Sequence, residues 1–209
     1  MIPSATFGLF CVATVALAVA PGPDNLFVLT QSALHGRVAG LLVTLGLCTG
    51  LLAHTAAVVL GVATLVQSSA LAFTVLKILG AAYLVYLAWK LLRAAPSVGA
   101  SSPAIRSLSK RQLYGRGILM NVTNPKVMVF MLAFLPQFAD PARGSLSAQL
   151  LILGATLILT TLVVFGAIAW AAGLLGEWLG RSQRAQLVMN RASAVLFLGL
   201  ALRLVLSTQ

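Results

Sequence analysis

Two charged residues lie inside long apolar stretches, and each directly follows a proline motif. Asp24 follows Pro21-Gly22-Pro23, and Lys126 follows Asn124-Pro125. A carboxylate inside a bilayer is costly unless it is paired or faces water, so a buried acid is a candidate functional group. Lys126 lies too deep in its stretch for its side chain to reach an interface, so we expect it to face the bundle interior. Both residues are therefore candidates for binding a proton or a polar substrate.

The prolines predict a helix break beside each charge. Proline removes a backbone donor, so we expect breaks at Pro21, Gly22 and Pro23 and again at Pro125. A broken helix presents free N–H groups, which attract carboxylates, and free carbonyls, which attract ammonium groups. Two such breaks in one cavity favour a zwitterionic, amino-acid-like substrate. Asp24 is also positioned to cap the helix that starts after Pro23, a role compatible with the first.

Neutral polar residues accompany the breaks. Asn25, Asn121 and Asn124 supply further donors and acceptors to the predicted site. His54 lies in the middle of the second apolar stretch and is a candidate proton relay, although a hydrogen-bonded structural histidine is the more common role. The cysteines lack metal-ligand spacing, so we expect no metal site and no cofactor.

The composition indicates a membrane protein. Of the 209 residues, 60% are hydrophobic and 8% are charged, whereas a soluble domain has roughly 25% charged residues. The formal net charge of +11 does not indicate nucleic acid, because the basic residues occur in short clusters between apolar stretches. We therefore expect the lipid bilayer as a partner and no nucleic acid.

Six stretches are long enough to cross a bilayer, which requires about 20 apolar residues. The predicted spans are residues 5–33, 38–65, 72–92, 110–138, 147–175 and 187–206. Ser109 and Gln112 predict a capping box at the start of the fourth span. Small residues are spaced for helix packing, within a protomer or in a homo-oligomer, at Gly46, Gly50, Gly176 and Gly180.

The basic residues predict the orientation in the membrane. Lys and Arg accumulate in cytoplasmic loops. Loops one, three and five, with their flanks, carry most of them: Arg37, Lys90, Arg93, Arg106, Lys110, Arg111, Arg116, Arg181, Arg184 and Arg191. The opposite side has Lys77, Arg143 and Arg203. Both termini are therefore predicted to be periplasmic.

The two halves of the chain resemble each other. Residues 77–85 can be aligned with residues 191–199, and the first proline motif corresponds in position to the second. We predict an all-α membrane protein with six transmembrane helices in a 3+3 inverted repeat, with proline-broken helices 1 and 4. The single domain comprises a first repeat (1–94), a cytoplasmic linker (95–112) and a second repeat (113–209). Similar apolar composition alone is the alternative explanation for the likeness of the last helix in each half.

Several motifs together resemble the LysE/RhtB family of amino-acid exporters. They are residues 21–25, 34–40, 80–84, 120–126 and 134–138. The run after the first motif is closer to the homoserine/threonine branch. The resemblance implies six spans in the bacterial inner (cytoplasmic) membrane and proton-driven export of amino acids or their derivatives. It also implies that Asp24 is the acidic position of the first motif, and that Asn124, Pro125 and Lys126 match the second.

We predict a secondary transporter that works by proton antiport. Asp24 would carry the proton, Asp24 or nearby carbonyls would hold the substrate ammonium group, and Lys126 with half-helix N–H groups would hold its carboxylate. A channel or a passive membrane scaffold is the alternative, although no filter loop is apparent. An intramembrane enzyme is less favoured, because the sequence lacks Gly-x-Ser-x-Gly and His-Glu-x-x-His motifs and a pair of intramembrane aspartates.

Overall fold

The computed structural model describes residues 2–62, 70–94, 108–172 and 183–206, and the regular elements in these ranges are helices. They are α1 (Ser4–Val19), α2 (Pro23–His35), α3 (Arg37–Ala57), α4 (Ala70–Arg93), α5 (Lys110–Val122), α6 (Pro125–Val129), α7 (Leu146–Trp170) and α8 (Gln183–Leu206). The α3 and α6 helices continue as π-helical turns, Val58–Val62 and Phe130–Phe134, and a 3-10 turn (Leu135–Phe138) ends the α6 segment. A short 3-10 turn, Pro141–Arg143, precedes α7.

The described helices provide four to six membrane spans. Helices α3, α4, α7 and α8 are each long and apolar enough to cross a bilayer. Two further pairs pass the same test only when taken together, each as a broken span or a re-entrant loop: α1 with α2, bent by 60°, and α5 with the α6 segment, bent by 50°. The all-α membrane prediction is confirmed at this level. The predicted ends of the second and fifth spans (residues 65 and 175), linker residues 95–107, Gly176, Gly180 and Arg181 lie outside the described residues.

Each bend occurs at its proline motif. Ala20 ends α1 with extended backbone, Gly22 is also extended (φ −161°), and Pro23 occupies the first turn of α2, where a missing N–H costs nothing. In the second bend, Asn124 precedes Pro125, and its side chain accepts a hydrogen bond from the Lys126 N–H at 3.0 Å. The breaks predicted at both motifs are therefore present as helix ends and new helix starts.

Local sequence signals also explain the starts and ends of other helices. The predicted capping box begins α5: the Ser109 N–H donates to Gln112 Oε1 at 2.9 Å, and the Gln112 N–H donates to Ser109 Oγ at 3.3 Å. The α2 helix ends at Gly36, whose φ of 83° lies in the left-handed region that favours glycine. This turn lets α3 start immediately and fold back against α2.

Glycines bring α3 and α5 into backbone contact. A methyl group on Gly46 would lie 2.9 Å from the Cα of Gly117, and a methyl group on Gly117 would meet the carbonyl of Val43. Gly50 continues this face and packs against the side chain of Asn121. Because these contacts join helices of one chain, Gly46 and Gly50 serve packing within the protomer. The contact fixes the position of Asn121, one of the predicted site residues.

We expect Gly117→Ala to destabilise the protein by about 1–3 kcal/mol, because the added methyl group would force α3 and α5 apart. Thermal unfolding in detergent measures this change. Gly115→Ala is the matched control, since nothing lies within 4 Å of a methyl group at that position of the same helix. Equal melting temperatures for the two variants would contradict the close contact.

Buried aromatic rings form the centre of the larger core cluster. Phe10, Phe130, Phe134 and Phe138 are at most 2% exposed, and their ring centroids lie 4.9–6.1 Å apart in four pairs. Phe10 precedes the first break and the other three rings follow the second break. The cluster therefore lies between the breaks and the end of the bundle where α1 begins. The bundle exterior, by contrast, exposes many large Leu and Val side chains, which suits contact with lipid rather than water.

Candidate functional site

The two helix breaks meet through a buried carboxylate and a buried amide. Asn124 Nδ2 donates to both carboxylate oxygens of Asp24, at 2.8 Å each. Asp24 is 3% exposed and Asn124 is 5% exposed. The oxygen of the same Asn124 side chain caps the N-terminus of α6. One asparagine therefore starts its own helix with its oxygen and binds the acid of the other break with its nitrogen. The hydrogen bonds found for the Asp24 carboxylate join the two breaks, and none caps its own helix.

Lys126 binds the end of the opposite half-helix. Its Nζ lies 3.3 Å from the carbonyl oxygens of both Leu17 and Ala20, at the C-terminus of α1. Because Pro21 has no N–H, the carbonyl four residues earlier, that of Leu17, loses its helical partner. The lysine supplies the missing donor, and its charge is favourable beside the negative end of the helix dipole. Lys126 is 7% exposed, so it faces the bundle interior and does not extend to an interface.

At the second break, too, a proline leaves a backbone carbonyl without its helical donor. Pro125 leaves the Asn121 carbonyl without its helical partner, and that oxygen lies 3.1 Å from the Asn124 N and 3.3 Å from His54 Nε2. A histidine carrying its proton on Nε2 donates this bond. The half-buried His54 therefore bridges α3 to the second break, which is the structural role considered for it, and its use as a proton relay stays a prediction.

The remaining asparagines have uneven partners. Asn25 Nδ2 donates to the Ala18 carbonyl at 2.7 Å, so it also caps the end of α1. The Oδ1 atoms of Asn25 and Asn121 are buried and have no hydrogen-bond partner within the described part of the chain. Buried polar atoms are normally bonded, so these two acceptors are available to water or a ligand. The structure thus brings Asn25, Asn121 and Asn124 to one region, beside the two breaks.

Asp24 and Lys126 approach each other across Gly22. A methyl group on Gly22 would lie 3.1 Å from Asp24 Oδ1 and 3.2 Å from Lys126 Nζ, and the two charges interact electrostatically. They do not form a direct ion pair: within the described ranges, the pair closer than 4.0 Å is Arg143 with Asp140. Each charge instead has a polar partner from the opposite break, with the other charge nearby.

Two cavities border the breaks. The larger one has a volume of about 650 Å³, which lies in the usual range for sites of small ligands. It is lined by the broken motifs and by the ends of α4 and α8, including Lys90, Asn190 and Phe197. The smaller one leaves about 20 Å³ for water, enough for about one molecule, and is bordered by Asp24, Asn121 and Thr161. Lys126 borders both cavities, so it lies at their boundary.

Sequence reasoning missed several residues of this region. The Leu17 and Ala20 carbonyls were overlooked, although the loss of the N–H at Pro21 identifies the first of them. Lys90 was assigned only to orientation, and Gln186 and Asn190 were not considered, yet all three line the large cavity. These three residues line the cavity because of how α4 and α8 pack together, and no local sequence motif predicts that packing.

These features define a class: a multi-span helical membrane protein with a buried polar site between two broken helices. A model of the family described as "LysE type translocator" matches residues 15–208. The chain belongs to this family of membrane translocators. The resemblance found in the sequence motifs is therefore confirmed.

Individual relatives agree with the family assignment. A homoserine/homoserine lactone efflux protein of Salmonella typhimurium is 35% identical over 189 residues, covering 90% of each chain. An uncharacterized membrane protein of Vibrio cholerae is 36% identical over 191 residues, covering 91% of each chain. A leucine efflux protein of Salmonella typhimurium is 27% identical over 195 residues, covering 93% of this chain and 92% of the relative. No solved structure matches the chain.

Proposed function

We propose that the protein exports amino acids or amino-acid derivatives in exchange for protons. The observation that carries this proposal is the meeting of Asp24, Asn124 and Lys126 at two helix breaks beside a ligand-sized cavity. Broken helices at corresponding positions, with a buried charge at each, are the arrangement of secondary transporters. The protein would act in the bacterial inner membrane, with both termini periplasmic.

The site offers complementary groups for a zwitterion. Lys126 borders the large cavity, and its two bonds of 3.3 Å are long enough to be exchanged for a stronger bond to a carboxylate. Releasing Lys126 also frees the Leu17 and Ala20 carbonyls, which accept hydrogen bonds from an ammonium group. A substrate would thereby exchange places with the lysine at the end of α1.

Proton coupling follows from the same exchange. In an exchange cycle, the proton and the substrate occupy the site in turn. When the substrate binds from the cytoplasm, its ammonium group at the Leu17 and Ala20 carbonyls would favour the ionised Asp24 carboxylate and expel the proton, while Lys126 binds the substrate carboxylate. After the substrate leaves on the opposite side, Asp24 would take up a proton there, which lowers the cost of keeping the acid away from water. One buried acid and one buried cation are sufficient for this cycle.

The shape of the bundle supports an inward-facing conformation. The large cavity reaches Lys90, Ala94 and Gln186, at the end of the bundle that the basic residues assign to the cytoplasm. On the other side of the breaks, the aromatic cluster of Phe10, Phe130, Phe134 and Phe138 fills the bundle. A substrate would therefore enter from the cytoplasm and leave when this cluster separates.

The helix contacts are those expected of two inverted repeats. The α3 helix packs on α5, and its counterpart α7 packs on α1, while α4 packs extensively on α8. If the two halves are exchanged, the α3–α5 contact becomes the α7–α1 contact, and the α4–α8 contact becomes itself. This symmetry supports a 3+3 inverted repeat in which the broken spans move relative to the others.

The cavity chemistry disfavours substrates with basic side chains. Its lining combines Lys90 and Lys126 with Leu26, Leu87 and Met189, and it contains no acidic residue among those the structure describes. A basic side chain would find no counter-charge there. Leucine and homoserine, named in the relatives' descriptions, both fit this chemistry, and so do related derivatives.

Transport in proteoliposomes tests the proposal. Vesicles loaded with radiolabelled leucine or homoserine would receive an imposed pH gradient, and efflux would be compared with protein-free vesicles. We expect gradient-dependent flux, accompanied by proton movement and abolished by a protonophore. Flux that ignores the gradient and moves no protons would instead indicate a channel. The absence of flux for a panel of neutral amino acids would overturn the proposed function.

A further inference from the structure

One face of α2 carries, beyond Asp24, polar residues that the proposed transport cycle does not use. Asp24, Val28, Gln31, Ser32 and His35 follow one another at intervals of three or four residues, with Gln31 and Ser32 adjacent, so they share a helix face. Gln31 is fully buried, Ser32 is 5% exposed, and His35 is half-buried at the helix end. This polar face of α2 runs from the site to the first loop, roughly 16 Å along the helix.

Beyond Asp24, four polar atoms on this face have no hydrogen-bond partner among the residues that the structure describes. They are Gln31 Nε2 and Oε1, Ser32 Oγ and His35 Nδ1, all buried. An amide with both ends unbonded in an apolar cluster is unfavourable unless water reaches it. Val28, which precedes Gln31 by one turn, belongs to a buried apolar cluster with Val43 and Phe165. The cost of keeping Gln31 there indicates a functional use rather than a structural one.

The substrate cavity does not give the Asp24 carboxylate a route to water. Asp24 borders the small cavity, which holds about one water, and is absent from the lining of the large one. Asn124 and Lys126 line the large cavity, and Gly22 separates Asp24 from Lys126. A proton that leaves Asp24 in this conformation therefore needs another path. The polar face of α2 begins at the same residue.

The α3 helix packs closely against this face at Ser32. Gly40 of α3 contacts Ser32 Oγ, and any larger residue there would displace that hydroxyl. Two arginines lie beside α2 and contact aromatic rings. Arg37, two residues after His35, stacks on Trp170 at 4.4 Å, and Arg116 lies 5.8 Å from the ring of Phe27 in the first half of the helix.

We propose that the polar face of α2 is a proton pathway, separate from the substrate cavity, that connects Asp24 to the cytoplasmic surface through Gln31, Ser32 and His35. Water molecules bonded to these side chains would pass a proton along the face. The protein would thus admit its substrate and release its proton by different routes. This inference rests on the proposed proton antiport.

Gln31→Met tests the pathway, because it keeps the side-chain length and removes both polar atoms. Two rates are measured in proteoliposomes: efflux driven by a pH gradient, and exchange of labelled for unlabelled substrate at equal pH. We expect gradient-driven efflux to fall by at least about tenfold, because proton transfer becomes limiting, while exchange stays within about twofold of the parent. Ser32→Ala, a smaller change, should show the same selectivity.

Two control variants test whether the effect depends on the amide group and on this face of α2. Gln31→Asn, unlike Gln31→Met, should retain gradient-driven efflux, because the shorter amide still binds water. Thr30→Val removes a polar group from the same helix outside this face and should change neither rate. Equal loss of both rates in Gln31→Met, or full retention of both, would overturn the pathway. A parent protein that exchanges substrate yet ignores the pH gradient would overturn the antiport itself, and one that moves no substrate would overturn the proposed function.

Discussion

Asp24→Asn is expected to abolish efflux driven by a pH gradient. The substitution keeps the size of the side chain and its capacity to accept a hydrogen bond from Asn124, but it removes the titratable group. Loss of a positioned proton-transfer group commonly lowers rates by about 10²–10⁴-fold, which would bring gradient-driven efflux close to the protein-free background. Efflux is measured in proteoliposomes with an imposed pH gradient.

Asp140→Asn is the matched control for this experiment. Asp140 caps the turn before α7 and pairs with Arg143, and both side chains are about half exposed. Its loss should leave gradient-driven efflux near the parental rate, since surface ion pairs contribute little. Unimpaired efflux by Asp24→Asn would eliminate the proton-carrier role. The acid would then be a structural residue that holds the two breaks together.

Lys126→Met is expected to weaken both the fold and substrate binding. The change leaves the Leu17 and Ala20 carbonyls without their donor, at a cost of about 1–3 kcal/mol for each unsatisfied group. It also leaves the buried Asp24 carboxylate without a nearby cation, and removing one member of a buried pair typically costs about 3–5 kcal/mol. These costs overlap, but a large fall in melting temperature should be measurable in detergent.

The control and a double variant separate the two effects of Lys126. Lys110→Met removes an exposed lysine at the start of α5 and should leave stability and binding unchanged. Asp24→Asn combined with Lys126→Met should recover part of the stability lost in Lys126→Met, because no buried carboxylate remains, yet substrate affinity should stay low. Strictly additive losses of stability would refute mutual compensation of the charges. Parental affinity in Lys126→Met would eliminate its role as the carboxylate ligand.

The sequence was sufficient to predict the residues at the centre of the site. Proline chemistry locates the breaks, and the rarity of charge in apolar stretches identifies Asp24 and Lys126 without any structure. The Ser109–Gln112 capping box follows from local hydrogen bonding and is present. The assignment of Gly46 and Gly50 to packing within the protomer required the structure, since spacing alone does not name the facing helix.

The partners of the charges were not predictable from the sequence. A direct ion pair between Asp24 and Lys126 would be the simplest arrangement of two neighbouring buried charges of opposite sign. The structure instead pairs Asp24 with an amide 100 residues away and Lys126 with carbonyls 106 and 109 residues away. These choices depend on how Gly22 and Asn124 position the backbone at the crossing. Likewise, the polar face of α2 is visible in the spacing, but its burial and lack of partners are not.

The 60° bend between α1 and α2 has a mechanical consequence. The 13 residues of α2 form a rod of roughly 20 Å that is joined to α1 through Pro21–Pro23, where the two prolines donate no backbone hydrogen bond. A rotation of 10° about that joint would move the far end of the rod by roughly 3.5 Å, more than the diameter of a water molecule. In the proposed transport cycle, small rearrangements of the polar contacts at Asp24 would therefore produce larger displacements at the far end of α2.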